Sequence, residues 1–186
     1  MNHYGAKEIA SSFRTVRNNT IKIAEEIPED KYGTELAPGM RTIGQLLIHI
    51  SNIQRFGLAI NRDEVRSTME GFNFMAFIGP LLASEKESMT KAQIVQRLRD
   101  SGDEFEKWVG GLSDEFLAQV VTMPPGGSPP SRTRFDLLIS VKEHEMHHRG
   151  QLMVAERMIG ITPHLTRAQQ ERFAAMQAAQ AAPAQA

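Results

Sequence analysis

The sequence contains no cysteine. That absence excludes disulfide bonds, thiolate metal ligands and a cysteine nucleophile. Any metal site must therefore be built from histidine, aspartate and glutamate. An excess of charge is missing too: 21 basic residues oppose 22 acidic ones, a formal net charge of −1. Such a surface has no field to attract nucleic acid or an anionic membrane. No stretch approaches the roughly 20 apolar residues that span a bilayer. The N-terminal Met1-Asn2-His3-Tyr4 lacks the basic and apolar regions of a signal peptide. These absences together point to the cytoplasm, with neither nucleic acid nor membrane as partner. What remains is 186 residues, 41% apolar and 23% charged, enough to bury a core.

Apolar residues recur at the 3–4 residue spacing of an amphipathic helix in four stretches. The first carries Ile9, Phe13, Val16, Thr20, Ile23 and Ile27 and stops at Pro28. The second starts at Thr42, where Thr42 and Gln45 have the spacing of a capping box. Its stripe runs through Ile43, Leu46, Leu47, Ile50, Ile53, Phe56 and Gly57. The third spans about Lys91 to Leu112, capped by Thr90, and the fourth about Arg134 to Ile159, ending at Gly160. Residues 28–41 and Met123 to Ser131 are loops by their proline and glycine content. The 63–90 link carries an apolar cluster, Phe72, Phe74, Phe77, Ile78, Leu81 and Leu82. A link that long lets the second and third helices lie parallel. Thr166 to Met176 reads as a short fifth helix, followed by a low-complexity Ala/Gln tail. No strand signal and no repeat stand out. The expected fold is all-α, with a bundle over residues 1–165 and the extra helix and tail over 166–186.

Six histidines are present, three of them inside Glu143-His144-Glu145-Met146-His147-His148-Arg149-Gly150-Gln151. Residues four apart lie on one helix face, roughly 6 Å apart at Cβ. His144 and His148 have that spacing and continue the inward stripe Leu137, Val141, Gln151 and Ala155. Most single histidines are satisfied by ordinary hydrogen bonds. Two buried on one face without partners would cost about 1–3 kcal/mol for each unsatisfied group, and a metal ion supplies the partner. His49, in the apolar run Leu46-Leu47-Ile48-His49-Ile50, is the natural third ligand. Three ligands leave a coordination position open to water or substrate. His3 and His164 read as bystanders.

His144-Glu145-Met146-His147-His148 also satisfies the H-E-x-x-H pattern of zinc peptidases, in which the glutamate is the general base. A peptidase would take a third ligand downstream, from His164, Glu156 or Glu171. Beside the motif, Glu145 and His147 are candidates for proton transfer or for orienting the ligands. Arg149 is a candidate for binding a substrate carboxylate and Gln151 for contacting a ligand. Gly150 reads as a site of close helix packing.

The run Thr42 to Ile50, followed about a hundred residues later by His144 to Leu152, resembles the DinB/YfiT-like superfamily. The lead-in Ala37-Pro38-Gly39-Met40-Arg41 and the ending Ile159-Gly160-Ile161-Thr162-Pro163 fit as well. The resemblance covers about Ala6 to Leu165. It implies a four-helix bundle of up-down-down-up connectivity, often a homodimer, with metal ligands His49, His144 and His148. It also implies either thiol transfer or isomerisation with a low-molecular-weight thiol such as bacillithiol or mycothiol, or metal-dependent hydrolysis of a small molecule. A non-catalytic metal-binding scaffold is the reading of a different class. Three imidazoles suit zinc, nickel, iron or copper.

Overall fold

The computed structural model describes residues 4–181. Each of the four expected helices forms, and local chemistry sets its ends. α1 (Ala6–Glu26) buries Ile9, Phe13, Val16, Thr20 and Ile23 and gives way before Pro28. α2 (Ile43–Leu58) opens on the expected capping box. The Thr42 hydroxyl accepts the Gln45 N–H at 3.2 Å, and the Gln45 side chain accepts the Thr42 N–H at 3.0 Å. At its far end α2 widens into a π turn, Ala59–Asp63.

The 63–90 link contains a further helix, α3 (Phe74–Ser84), started by Asn73, whose side chain accepts the Ala76 N–H. α4 (Lys91–Val109) begins with a second capping box, Thr90 and Gln93. A short α5 (Asp114–Ala118) follows. α6 (Arg134–Met158) is capped by Thr133 and stopped by Gly160, whose φ of +85° favours glycine. The last helix, α7 (His164–Ala181), is longer than the expected Thr166–Met176.

One expectation needs correction. Val120–Thr122 (β1) and Ser131–Thr133 (β2) pair as a two-stranded antiparallel sheet, where no strand was expected. Three-residue strands are too short to show a period-2 pattern, and here they close the Pro/Gly-rich loop between them. The molecule is otherwise helical. No helix among the described residues is long and apolar enough to cross a membrane.

α1 and α2 each pack against both α4 and α6. Where α2 meets α6, Gly57 lets the backbones approach: a Cβ there would lie 3.1 Å from a Val141 methyl. The interior holds two large apolar clusters and a smaller third one around Ile60, Met69, Val121 and Leu137. One large cluster gathers Ile23, Ile27, Leu47, Ile50, Leu98 and Leu152, the other Ile9, Phe13, Leu58, Phe105 and Leu138.

The fully buried Arg17–Glu145 ion pair joins these elements through polar contacts. The Arg17 guanidinium donates to both Glu145 oxygens at 2.9–3.1 Å, to the Leu98 carbonyl at 2.7 Å and to Ser101 at 2.9 Å. Gly102 makes room for it, since a Cβ there would come within 2.8 Å of the arginine chain.

Candidate metal centre

His49 comes from the middle of α2, and His144 and His148 from successive turns of α6. Because α2 and α6 pack side by side, the three rings meet. Their centroids are 5.4 Å (His49–His144), 4.7 Å (His49–His148) and 4.8 Å (His144–His148) apart. One ring nitrogen from each lies within 4.8 Å of the others. The Nε2 atoms of His144 and His148 are 2.9 Å apart. Three imidazoles that each contact one ion at about 2.0–2.1 Å hold their nitrogens roughly 3–3.5 Å apart in a tetrahedral site, so the rings need close only slightly to share an ion.

The far nitrogens of two rings are held by acceptors. His49 Nδ1–H donates to Glu85 Oε1 at 2.7 Å, and His148 Nδ1–H donates to Gln151 Oε1 at 2.8 Å. Each bond selects the tautomer whose Nε2 carries the free lone pair. Glu85 follows directly on the end of α3, is nearly fully buried, and is held in turn by the Arg41 guanidinium at 2.6 Å. Burial lowers the pKa of all three histidines. For His49 the hydrogen bond it donates to Glu85 works against that shift, and for His148 the one it donates to Gln151 does. The charge that His49 would carry lowers His144 further. The rings are thus poised as neutral ligands, the form that binds metal. The donor set and its supports fit a divalent ion.

Two cavities meet at the histidines. A cavity of about 320 Å³ reaches His49 and His144 and is walled by Ile53, Phe56, Phe74, Phe77, Ile78, Leu81, Leu137 and Val141. A second, of about 540 Å³, reaches His148 and Gln151 and is lined by Gln45, Met40, Arg41 and Lys86. Glu85 and Leu82 border both.

The other candidates fall in different places. Gln151 holds His148 and lines the second cavity. His147 is exposed on the flank, where its Nε2 accepts from Gln151 Nε2 at 3.3 Å. Glu145 points to the opposite side of α6, into the ion pair with Arg17. A peptidase base would have to face the metal, which Glu145 does not. His164 is buried against α1, its Nε2 3.1 Å from Asn19 Oδ1, and neither it, Glu156 nor Glu171 joins the histidine group. Arg149 lines neither cavity. Gly150 is exposed, and among the described residues no atom lies within 4 Å of the place a Cβ would take, so it is not a site of close helix packing within them. His3 lies outside the described residues.

Glu85 had no role in the sequence reading. It stands in the run Ser84-Glu85-Lys86-Glu87, and nothing in composition separates it from Glu87, one of its acidic neighbours.

The sequence model of the DinB superfamily matches residues 12–152, a span that contains the three histidines, Glu85, Gln151 and the walls of both cavities. No curated protein is matched by the chain.

Proposed function

This chain belongs to the DinB superfamily, and on that premise we propose that it is a metal-dependent enzyme whose His49, His144 and His148 hold one divalent ion. The observation that carries this reading is the convergence of three neutral imidazoles, two of them oriented from behind, beside two cavities. A closed structural site has no need of such access. Bound there, zinc, nickel or iron would act as a Lewis acid that lowers the pKa of a water or thiol. Glu85 and Gln151 keep the ligand rings in register. Lys86 and Arg41 add positive charge on the polar side.

Transfer of a low-molecular-weight thiol to a small molecule is the more specific form of this proposal. Two cavities that meet at one metal position support a reaction with two organic partners. Hydrolysis, whose second partner is water, is the alternative and needs only one cavity. The reading extends to a bundle over residues 1–165 with up-down-down-up connectivity, which the long link before α4 supports. It also includes residues 166–186 as an appendage and a cytoplasmic setting, which suits a chain without cysteine. A homodimer completes it.

Metal analysis of the purified chain beside His49→Ala and His148→Ala tests the centre. We expect close to one equivalent in the parent and a loss of at least tenfold in affinity in each variant. Full metal content in both variants would falsify the triad. Consumption of bacillithiol or mycothiol with an electrophile, dependent on the metal, then separates thiol transfer from hydrolysis.

A further inference from the structure

We infer that the substrate of this centre is a largely apolar molecule with a single polar head, bound head-first toward the histidines, and that α3 sets the length it can reach. The inference rests on the metal centre proposed above and adds the substrate's chemical class. Its basis is the state of the polar groups in the smaller cavity. Asn52 is taken up by the Leu81 carbonyl, Ser84 and Arg97. Glu85 is held by His49 and Arg41. Arg132 donates to the Asp136 side chain and carbonyl and to Ser140, whose hydroxyl donates to carbonyls of its own helix.

Away from Arg132 Nη1, a ligand hydroxyl or amide placed along these walls would have to break such a bond or go without a partner, at about 1–3 kcal/mol. The side-chain polar atoms of this cavity that make no hydrogen bond among the described residues are ring nitrogens of His49 and His144 at its floor and Nη1 of Arg132. Everything else offers apolar contact. A head group that binds metal, with a hydrocarbon or aromatic body behind it, satisfies both conditions.

α3 supplies the second observation. It is an apolar helix of 11 residues in which none is buried. Phe74, Phe77, Ile78, Leu81 and Leu82 nevertheless turn toward the cavity. Phe77 and Phe74 meet Phe56 edge-on at 5.8 and 5.7 Å, so the roof is positioned by aromatic contacts with α2. A helix of this composition stays half-covered unless something apolar fills the space beneath it. At about 320 Å³ that space lies at the small end of ligand sites.

The test uses straight-chain alkyl hydroxamic acids of two to eight carbons, titrated calorimetrically into the zinc-loaded full chain. Each added methylene should tighten binding about fourfold, the equivalent of ~0.8 kcal/mol, until the cavity is full. Ile78→Trp, which fills the cavity, should flatten the series while zinc content and acetohydroxamate affinity stay as in the parent. Phe77→Ala should move the plateau to longer chains. A flat series in the parent, or an unaltered series in Ile78→Trp, overturns the inference while leaving the metal centre standing. If zinc does not bind, the proposed function fails. The cavity is then judged on the metal-free chain with N-phenyl-1-naphthylamine. Fluorescence enhancement that Ile78→Trp abolishes supports an apolar site, and no enhancement overturns it.

Discussion

A neutral imidazole has one lone pair, and the group at its other nitrogen decides where that lone pair points. At His49 and His148 that group is a side chain, Glu85 or Gln151. Glu85→Gln keeps the shape but weakens the acceptor, and should lower metal affinity about 10–100-fold without unfolding the chain. A chelator competition titration measures it. Glu156 is a different case. It is fully buried at the end of α6, and its carboxylate oxygens receive no hydrogen bond within the described structure. Burial, and then the neighbouring Glu26, push its pKa up to about 7. Between pH 4.5 and 7 the folded chain holds a proton that the unfolded chain has released, so this group subtracts stability as pH rises. Glu156→Gln should therefore be more stable than the parent at pH 8, by on the order of 2 kcal/mol, with the gap closing toward pH 5. Thermal melts at the two pH values decide it. Among single residues, His144 and His148 were legible in the sequence because helical spacing alone sets them face to face. His49 was legible mainly through the family resemblance. Glu85 was not, because its partner lies 36 positions away and no local pattern encodes that contact.

At the scale of elements, the four long helices could be read from periodicity and caps. Thr42 with Gln45 and Thr90 with Gln93 close the boxes that their spacing suggests. α3 and the small sheet were harder. The apolar cluster from Phe72 to Leu82 has no clear period, and Gly79 and Pro80 lie inside it. The strands are stabilised by pairing across the loop rather than by their own residues. The Arg17–Glu145 pair makes a sharper prediction. Glu145→Gln leaves a buried guanidinium without its counter-charge, and urea unfolding should show a loss of about 3–5 kcal/mol. Exchanging both members together, Arg17→Met with Glu145→Met, should recover most of it, because the desolvation of two charges is then removed as well. If the single and double variants were equally unstable, packing rather than charge would explain the site.

The whole molecule leaves apolar side chains uncovered on α6: Met146, Val154 and Met158 are 43%, 53% and 61% exposed. They flank Gly150, beside which another helix would have room. This face supports the proposed homodimer. Val154→Lys should shift the sedimentation of the chain from dimer to monomer without change in metal content, whereas an unshifted dimer would place the interface elsewhere. α7 docks through its first turn, where His164 meets Asn19 and Arg167 meets Glu26. From Ala168 to Gln180 its residues are exposed. Ending the chain after Gln170 should change the melting temperature by no more than about 2 °C, as expected for exposed residues away from packing.

The three histidines belong to α2 and α6, which also form the core, whereas the roof over the smaller cavity belongs to α3, which buries none of its own residues. Mutations in α3 can therefore accumulate with little penalty to folding or to the histidine site. On the proposed function, selection on substrate preference can act there while the histidine site is inherited unchanged. For a protein engineer, α3 is the segment to randomise first, and Glu85, just beyond its end, is the residue to leave alone.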